Sequence, residues 1–283
     1  MMKRLAAVLV VFLLPCLYVP VQAQSKNKAG SLFIIGGGNR SDSLMKQMVT
    51  TANFRAGDYI VVLPMASAEP EAGFSLISRQ LAKHTGAVIR NFDFAANEAG
   101  HKQWVDSLSR ARLIYILGGD QNRFMKTVLN TPVYKAIHQA YKNGATIAGT
   151  SAGAAVMSKY MITGQQLKDT VYKETFDKLL DKNIAFAEGL GLLPEVIIDQ
   201  HFIKRSRYNR LLSALAEKPG FVCVGIDEGT AIIVRGERAT VAGESQVVRI
   251  AAPKESKTTN GLLRFQNIQF GLFTAGDVIQ LRP

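Results

Sequence analysis

The feature that most constrains this 283-residue chain is a series of short runs that are apolar on nearly every residue, not on every second one, such as YIVVL at Tyr59–Leu63 and LIYIL at Leu113–Leu117. A strand with one wet face alternates apolar and polar residues, whereas a run without alternation is covered on both faces. Further runs lie at Ser31–Ile35, Ala87–Phe92, Ala145–Ala148, Val196–Ile198 and Phe221–Ile226. Helical patterns fall between them at Ser41–Asn53, Phe74–Thr85, Gln103–Arg110, Thr131–Lys142 and Arg205–Ala216. This order predicts an α/β fold, a three-layer α/β/α sandwich with a mostly parallel central sheet. After Thr230 the pattern becomes short strands split by Gly, Asn and Asp: Ala231–Val234, Ala239–Val241, Val247–Ile250, Leu263–Phe270 and Val278–Leu281. They read as antiparallel hairpins closing one edge of the same domain. The long, weakly apolar segment Asp169–Gly191 reads as a lid or a wandering connection, of the kind that often borders the site in α/β enzymes.

The first residues stand apart. Lys3 and Arg4 precede an apolar stretch from Leu5 to Val19, followed by Val21-Gln22-Ala23. That is the pattern of a secretory signal peptide over residues 1–23, cleaved after Ala23, and the stretch is short for a membrane span. Residues 24–283 are then one catalytic α/β domain, exported to the periplasm or beyond, with no stable membrane insertion. A lipid anchor on Cys16 is the lesser alternative, because Leu13-Leu14-Pro15 lacks the small residues expected before such a cysteine. Cleavage leaves Cys223 as the single cysteine, in an apolar run, where a buried small hydrophobe is the expectation. The formal charge is +12, but the basic residues are scattered with no tail and no interleaved aromatics, which argues against a nucleic-acid partner.

The chemistry concentrates at the ends of the apolar runs. Gly149-Thr150-Ser151-Ala152-Gly153 has the spacing of a nucleophile elbow, in which a tight strand-to-helix turn exposes the Ser oxygen. The N–H of Ala152 would point to the same place as the helix N-terminus. A serine needs a base. Of four histidines, His84, His101 and His138 sit in helical or polar surroundings, whereas His201 closes VIIDQH at a strand's carboxyl end, the edge where α/β sites assemble. An acid to orient the imidazole is available at Asp227 or Glu228, in GIDEGT. The order Ser, His, acid differs from the Ser, acid, His of α/β-hydrolases and disfavours an esterase or lipase. Leu117-Gly118-Gly119-Asp120 offers bare backbone for a second oxyanion donor. Gly36-Gly37-Gly38 is a poor dinucleotide fingerprint, since Ser41 stands where the third glycine belongs. Arg205, Arg207 and Arg210 follow His201 directly, and a guanidinium clamp for carboxylates is weighed there against a solvated helix face.

Taken together, GGDQN, AGTSAGA, DQHFIKRSRYNRLL and GIDEGTA resemble the cyanophycinases, within the serine-peptidase family that also contains dipeptidase E. The resemblance spans about Ser31 to Val234 and is most specific at DQHF followed by three spaced arginines. It implies a fold akin to class I glutamine amidotransferases, often dimeric, so a homodimer is expected. It implies Ser151 as nucleophile, His201 as base and Glu228 as acid partner, with Asp227 the fallback. Oxyanion donors would be the N–H groups of Gly119 and Ala152. Substrate-binding positions would be Gln121, Asp199, Gln200, Arg205, Arg207 and Arg210. The implied substrate is cyanophycin, a poly-aspartate bearing arginine on each β-carboxyl, cut to β-aspartyl-arginine dipeptides without metal or organic cofactor. Two other readings stay open at this point: an exported aspartyl dipeptidase like dipeptidase E, and an inactive α/β binding protein that keeps the cleft.

Overall fold

Every residue of β1 (Ser31–Ile35) after its first is fully buried, and the side chains divide by the strand's period of two. Leu32 and Ile34 enter one apolar core, and Phe33 and Ile35 enter another. The strand therefore lies in the middle layer of the molecule. In the computed structural model, residues 29–94, 101–168, 171, 173 and 175–282 are described; the expected signal segment and Cys16 lie outside them.

The first half of the chain alternates as its sequence predicts. β1 leads to α1 (Asp42–Ala52), β2 (Tyr59–Leu63), α2 (Pro70–Ala82), β3 (Val88–Asn91) and α3 (Lys102–Leu108). Then come β4 (Leu113–Ile116), α4 (Gln121–Val128), α5 (Pro132–Lys142), β5 (Thr146–Thr150) and the single-turn α6 (Ala152–Ala155). Local chemistry sets the ends. The Ser41 hydroxyl caps α1 by accepting from the Leu44 N–H, and Asn53 ends it in the left-handed region. Prolines open α2 and α5, where a missing N–H costs nothing. Asp120 caps α4, a helix the apolar pattern did not reveal.

The second half contributes β6 (Tyr160–Gln166), β7 (Ile184–Glu188), β8 (Val196–Gln200), α7 (Tyr208–Glu217), β9 (Val222–Ile226) and β10 (Thr230–Arg235). The remainder is β11 (Arg238–Gly243), β12 (Val247–Ala251), β13 (Lys254–Thr259), β14 (Leu262–Gln266), β15 (Gln269–Phe273) and β16 (Val278–Gln280). The main sheet runs β16-β11-β10-β1-β5-β4-β2-β3. From β1 to β3 all pairings are parallel, and β10, β11 and β16 extend the β1 edge antiparallel. The fold class is thus the α/β sandwich expected, with C-terminal antiparallel strands.

Strand membership departs from a single sheet. β8 and β9 pair in parallel with each other and join β12 and β15 in a second sheet of order β15-β12-β9-β8. One face of that sheet, through Val196, Ile198, Val222 and Val224, shares a core with the main sheet. The other face, through Ile197, Cys223 and Val248, packs on Leu211 and Leu215 of α7. Both faces are buried, so these strands are apolar throughout although they lie outside the main sheet. The expected run Leu263–Phe270 is in fact two strands, broken at Asn267, whose φ is +53°. Part of Asp169–Gly191 is outside the described residues, but its end forms β7, which pairs with β6.

The parallel strands β1, β4 and β5 end at one edge of the main sheet, and the carboxyl ends of β8 and β9 come to the same place. A seam of backbone bonds joins them. The His201 N–H donates to the Gly36 carbonyl at 2.7 Å, the Gly229 N–H to Gly37 at 2.9 Å, and the Gly36 N–H to Thr230 at 2.9 Å.

Candidate active site

Ser151 follows β5 directly, with φ +52° and ψ −110°. A non-glycine residue held there is strained by about 1–3 kcal/mol and persists only where its surroundings fix it. The glycines on either side make the turn feasible. A Cβ on Gly149 would stand 2.2 Å from the Gly153 carbonyl oxygen, and one on Gly153 would stand 2.4 Å from that of Ile116. The turn presents the Ser151 hydroxyl 2.8 Å from His201 Nε2. His201 Nδ1 in turn lies 2.6 Å from Glu228 Oε1. The three side chains form one hydrogen-bonded chain, drawn from β5, β8 and β9.

Of the two adjacent acids, Glu228 is the one that reaches the imidazole. Asp227, the fallback in sequence, faces away: its carboxylate accepts from the Lys204 N–H at 2.9 Å and from the Ser245 hydroxyl at 2.7 Å. Those bonds shape the loops after β8 and β11.

The role of Gly36-Gly37-Gly38 could not be read from sequence. A Cβ on Gly37, whose φ is +115°, would lie 2.3 Å from His201 Cε1, and one on Gly38 would lie 2.7 Å from Glu228 Cβ. A Cβ on Gly36 would strike the backbone of Ile226 and Asp227 at 2.2–2.3 Å. The run is a bare floor on which the imidazole and carboxylate rest. Its signal was present as three consecutive glycines at a strand end, without anything to show what would approach them.

A cleft of about 360 Å³ opens over Ser151 and His201, lined also by Gln121, Thr163, Gln200, Arg205, Arg207 and Arg210. Gly119 lines it too. Its φ is +137°, and a Cβ there would sit 2.0 Å from the Ala66 carbonyl oxygen, so only glycine lets the backbone pass. Ala152 lies at the first turn of α6, beside the Ser151 hydroxyl. Gln121 opens α4 and donates its amide to the carbonyls of Ile162 and Thr163 at 3.1 Å, tying α4 to β6.

Asp199 does not line the cleft. It is 1% exposed and lies behind the arginines. Arg210 grips it with Nε at 2.8 Å from Oδ2 and with a second contact from Nη2. Arg207 approaches the same carboxylate at 3.6 Å and donates to the Gln200 carbonyl and side-chain oxygens. Arg207 is the residue before α7, not within it, so the clamp is formed across a helix start and not along one helix face. Arg205 is half-buried in the turn between His201 and α7.

The electrostatics keep His201 neutral. Burial lowers its pKa from the ordinary 6.5, the Glu228 hydrogen bond opposes this, and the charges of Arg205 and Arg207 push it lower. Cys223 is fully buried in β9, and burial pushes its thiol far up with a smaller push from Asp199, so it is no nucleophile. Among the described residues no cluster of three or more His, Cys, Asp or Glu could hold a metal ion, and no helix is long and apolar enough to cross a membrane.

Removal of Asp199 should leave the buried Arg210 guanidinium without its carboxylate. We expect Asp199→Ala to destabilise the fold by about 3–5 kcal/mol, read as a lower urea midpoint at unchanged slope, with Asp199→Asn intermediate. A loss below about 1 kcal/mol would show that the network is not dry.

Comparison with known proteins places this geometry. The family described as peptidase family S51 matches residues 32–242. The cyanophycinase of Nostoc sp. (strain PCC 7120 / SAG 25.82 / UTEX 2576) is 35% identical over 233 residues, covering 80% of this chain and 75% of the relative. That of Synechococcus elongatus is 32% identical over 275 residues, covering 92% and 81%. Peptidase E of Actinobacillus pleuropneumoniae serotype 5b (strain L20) is 29% identical over 155 residues, covering 52% and 61%. Among solved structures, a peptidase from an acI-B1 actinobacterium shares the fold at a TM-score of 0.65 and 23% identity, covering 90% of this chain and 98% of that one. With a family match over most of its length and relatives above 30% identity, the chain belongs to peptidase family S51 and is a serine-type peptidase.

Proposed function

We propose that the chain hydrolyses cyanophycin to β-aspartyl-arginine dipeptides, with Ser151, His201 and Glu228 as its catalytic triad. The observation that carries this reading is the unbroken hydrogen-bonded chain from Glu228 to the Ser151 hydroxyl, opening on a cleft lined by three arginines. Each residue of the polymer carries an arginine with a free carboxylate, and guanidiniums bind carboxylates in a fixed fork.

In the mechanism, neutral His201 takes the Ser151 proton on Nε2 as the oxygen bonds to the amide carbon. The N–H groups of Gly119 and Ala152 hold the oxyanion. Glu228 steadies the imidazolium through Nδ1. His201 then gives its proton to the leaving nitrogen as the C–N bond breaks, leaving an ester on Ser151. Water, deprotonated by His201, attacks the ester carbon; the C–O bond to Ser151 breaks as His201 returns the proton to the serine oxygen, freeing the acid. Gln121, Gln200, Arg205, Arg207 and Arg210 bind substrate, while Asp199 acts as a positioning residue through Arg207 and Arg210.

The neighbouring reading, an aspartyl dipeptidase, is disfavoured by coverage. The match to peptidase E spans 52% of the chain, against 77–92% for the cyanophycinases. The reading extends to an exported enzyme, from the signal pattern in residues 1–23, acting as a homodimer. Intact mass of the exported protein should correspond to a chain beginning at Gln24; a lipid adduct on Cys16 would replace export by anchoring.

Ser151→Ala and His201→Ala should each lower turnover of cyanophycin by at least about 10³-fold with unchanged melting temperature. The dipeptide should be identified by mass in wild-type digests. Faster turnover of a simple aspartyl dipeptide than of the polymer would favour the dipeptidase reading. The pH dependence follows from His201. Only the neutral imidazole accepts the serine proton, and its folded pKa lies below 6.5, so activity should persist through pH 6.5 and fall at lower pH. For stability the sign is the same: a depressed histidine pKa contributes above the unfolded value and is lost as pH falls below it. An acid limb of kcat/KM centred above 6.5 would contradict the assigned base.

A further inference from the structure

Ser151 and His201 line two cavities, not one. Besides the arginine cleft there is a second, of about 250 Å³, lined by Arg40, Ser67, Leu76, Leu117 and Thr150 and by Gly37 and Gly38, which shares only Ser151 and His201 with the first. A planar amide attacked by Ser151 has two arms, and both must fit without leaving the serine. If the acyl arm lies in the arginine cleft, the second cavity faces the other arm, the one that departs on the nitrogen.

The lining of the second cavity carries one fixed cation, Arg40. Thr150, 5% exposed, forms part of the wall next to Ser151. Behind that wall, outside the cavity lining, the hydroxyl of the fully buried Tyr115 of β4 neighbours Thr150 and the Arg40 guanidinium. Arg40 sits in the loop between β1 and α1. Its Nε donates to the Gln80 side chain at 3.0 Å, which fixes the guanidinium plane. Among the described residues no carboxylate is paired with it. An oriented guanidinium with no carboxylate paired to it, on a cavity that Ser151 and His201 also line, is complementary to a carboxylate. Leu76, which is 46% exposed, and Leu117 supply an apolar wall for the aliphatic part of the same ligand.

We propose that this cavity is the subsite for the leaving half of the substrate, with Arg40 receiving a carboxylate on that half. This rests on the peptidase reading above. Two carboxylates could occupy it: the main-chain terminus of the departing residue, or that of the arginine attached to its side chain.

The test compares two substrates with the same acyl unit. One has a β-aspartyl-arginine leaving group; the other has p-nitroaniline, which carries no carboxylate. Arg40→Met should lower the ratio of their kcat/KM values by about 10- to 100-fold, and Arg40→Lys by less. The ratio is taken within one protein, so a partial folding defect cancels. An unchanged ratio in active variants overturns the subsite while leaving the peptidase intact. A wild-type protein inert toward both substrates and toward cyanophycin removes the peptidase reading, and the subsite with it. With the wild type, amidation of the terminal carboxylate, or replacement of the attached arginine by agmatine, identifies which carboxylate is bound. Full kcat/KM with both modified substrates would exclude either one.

Discussion

The site depends on one close contact between two sheets. The backbone N–H of His201 donates to the Gly36 carbonyl, and the ring then lies on Gly37 with nothing between. The hydroxyl comes from the main sheet, while imidazole and carboxylate come from the second. A side chain anywhere in residues 36–38 would hold the sheets apart by the width of at least a methyl group. Hydrogen bonds of 2.6–2.8 Å would not survive that separation. The glycine run therefore acts as an absence, and that absence sets the spacing of the Ser151, His201 and Glu228 side chains.

Rigidity around this contact comes from strain and from buried charge. Ser151 and His201 both have φ near +50°, a conformation that costs non-glycine residues free energy and that the surrounding packing must enforce. Behind them, Asp199 and Arg210 are nearly inaccessible to water, and their pairing fixes the start of α7 against the end of β8. A buried ion pair is a weak source of net stability but a strict one geometrically, because either charge alone is very costly. The arginine cleft is thus held from behind, and its front is left for a ligand.

Much of the fold was legible because burial leaves its mark on composition. Runs such as Tyr59–Leu63 announced strands covered on both sides, and the helical pattern Ser41–Asn53 matches α1 together with its two caps. The same signal could not assign strands to sheets. Val196–Gln200 and Val222–Ile226 are apolar because α7 covers one face and the main sheet's core the other, and no residue in them says which sheet they join. Short α4 escaped notice because eight residues bury only one narrow stripe, Phe124, Met125 and Val128. The break at Asn267 was hidden because flanking leucines and phenylalanines read as one continuous strand.

For the site, sequence determined the residue types and their placement at strand ends: a serine between glycines, a histidine closing an apolar run, two adjacent acids and three spaced arginines. These follow from chemistry that needs particular atoms on particular turns, and such requirements are local. Tertiary structure decided what local information does not contain. It turned Glu228 to the imidazole and Asp227 away, set Asp199 behind the arginines, and brought Arg40 beside the serine from a loop with no motif. Those outcomes depend on distances between segments far apart in the chain, which are fixed only when two sheets close on a shared core.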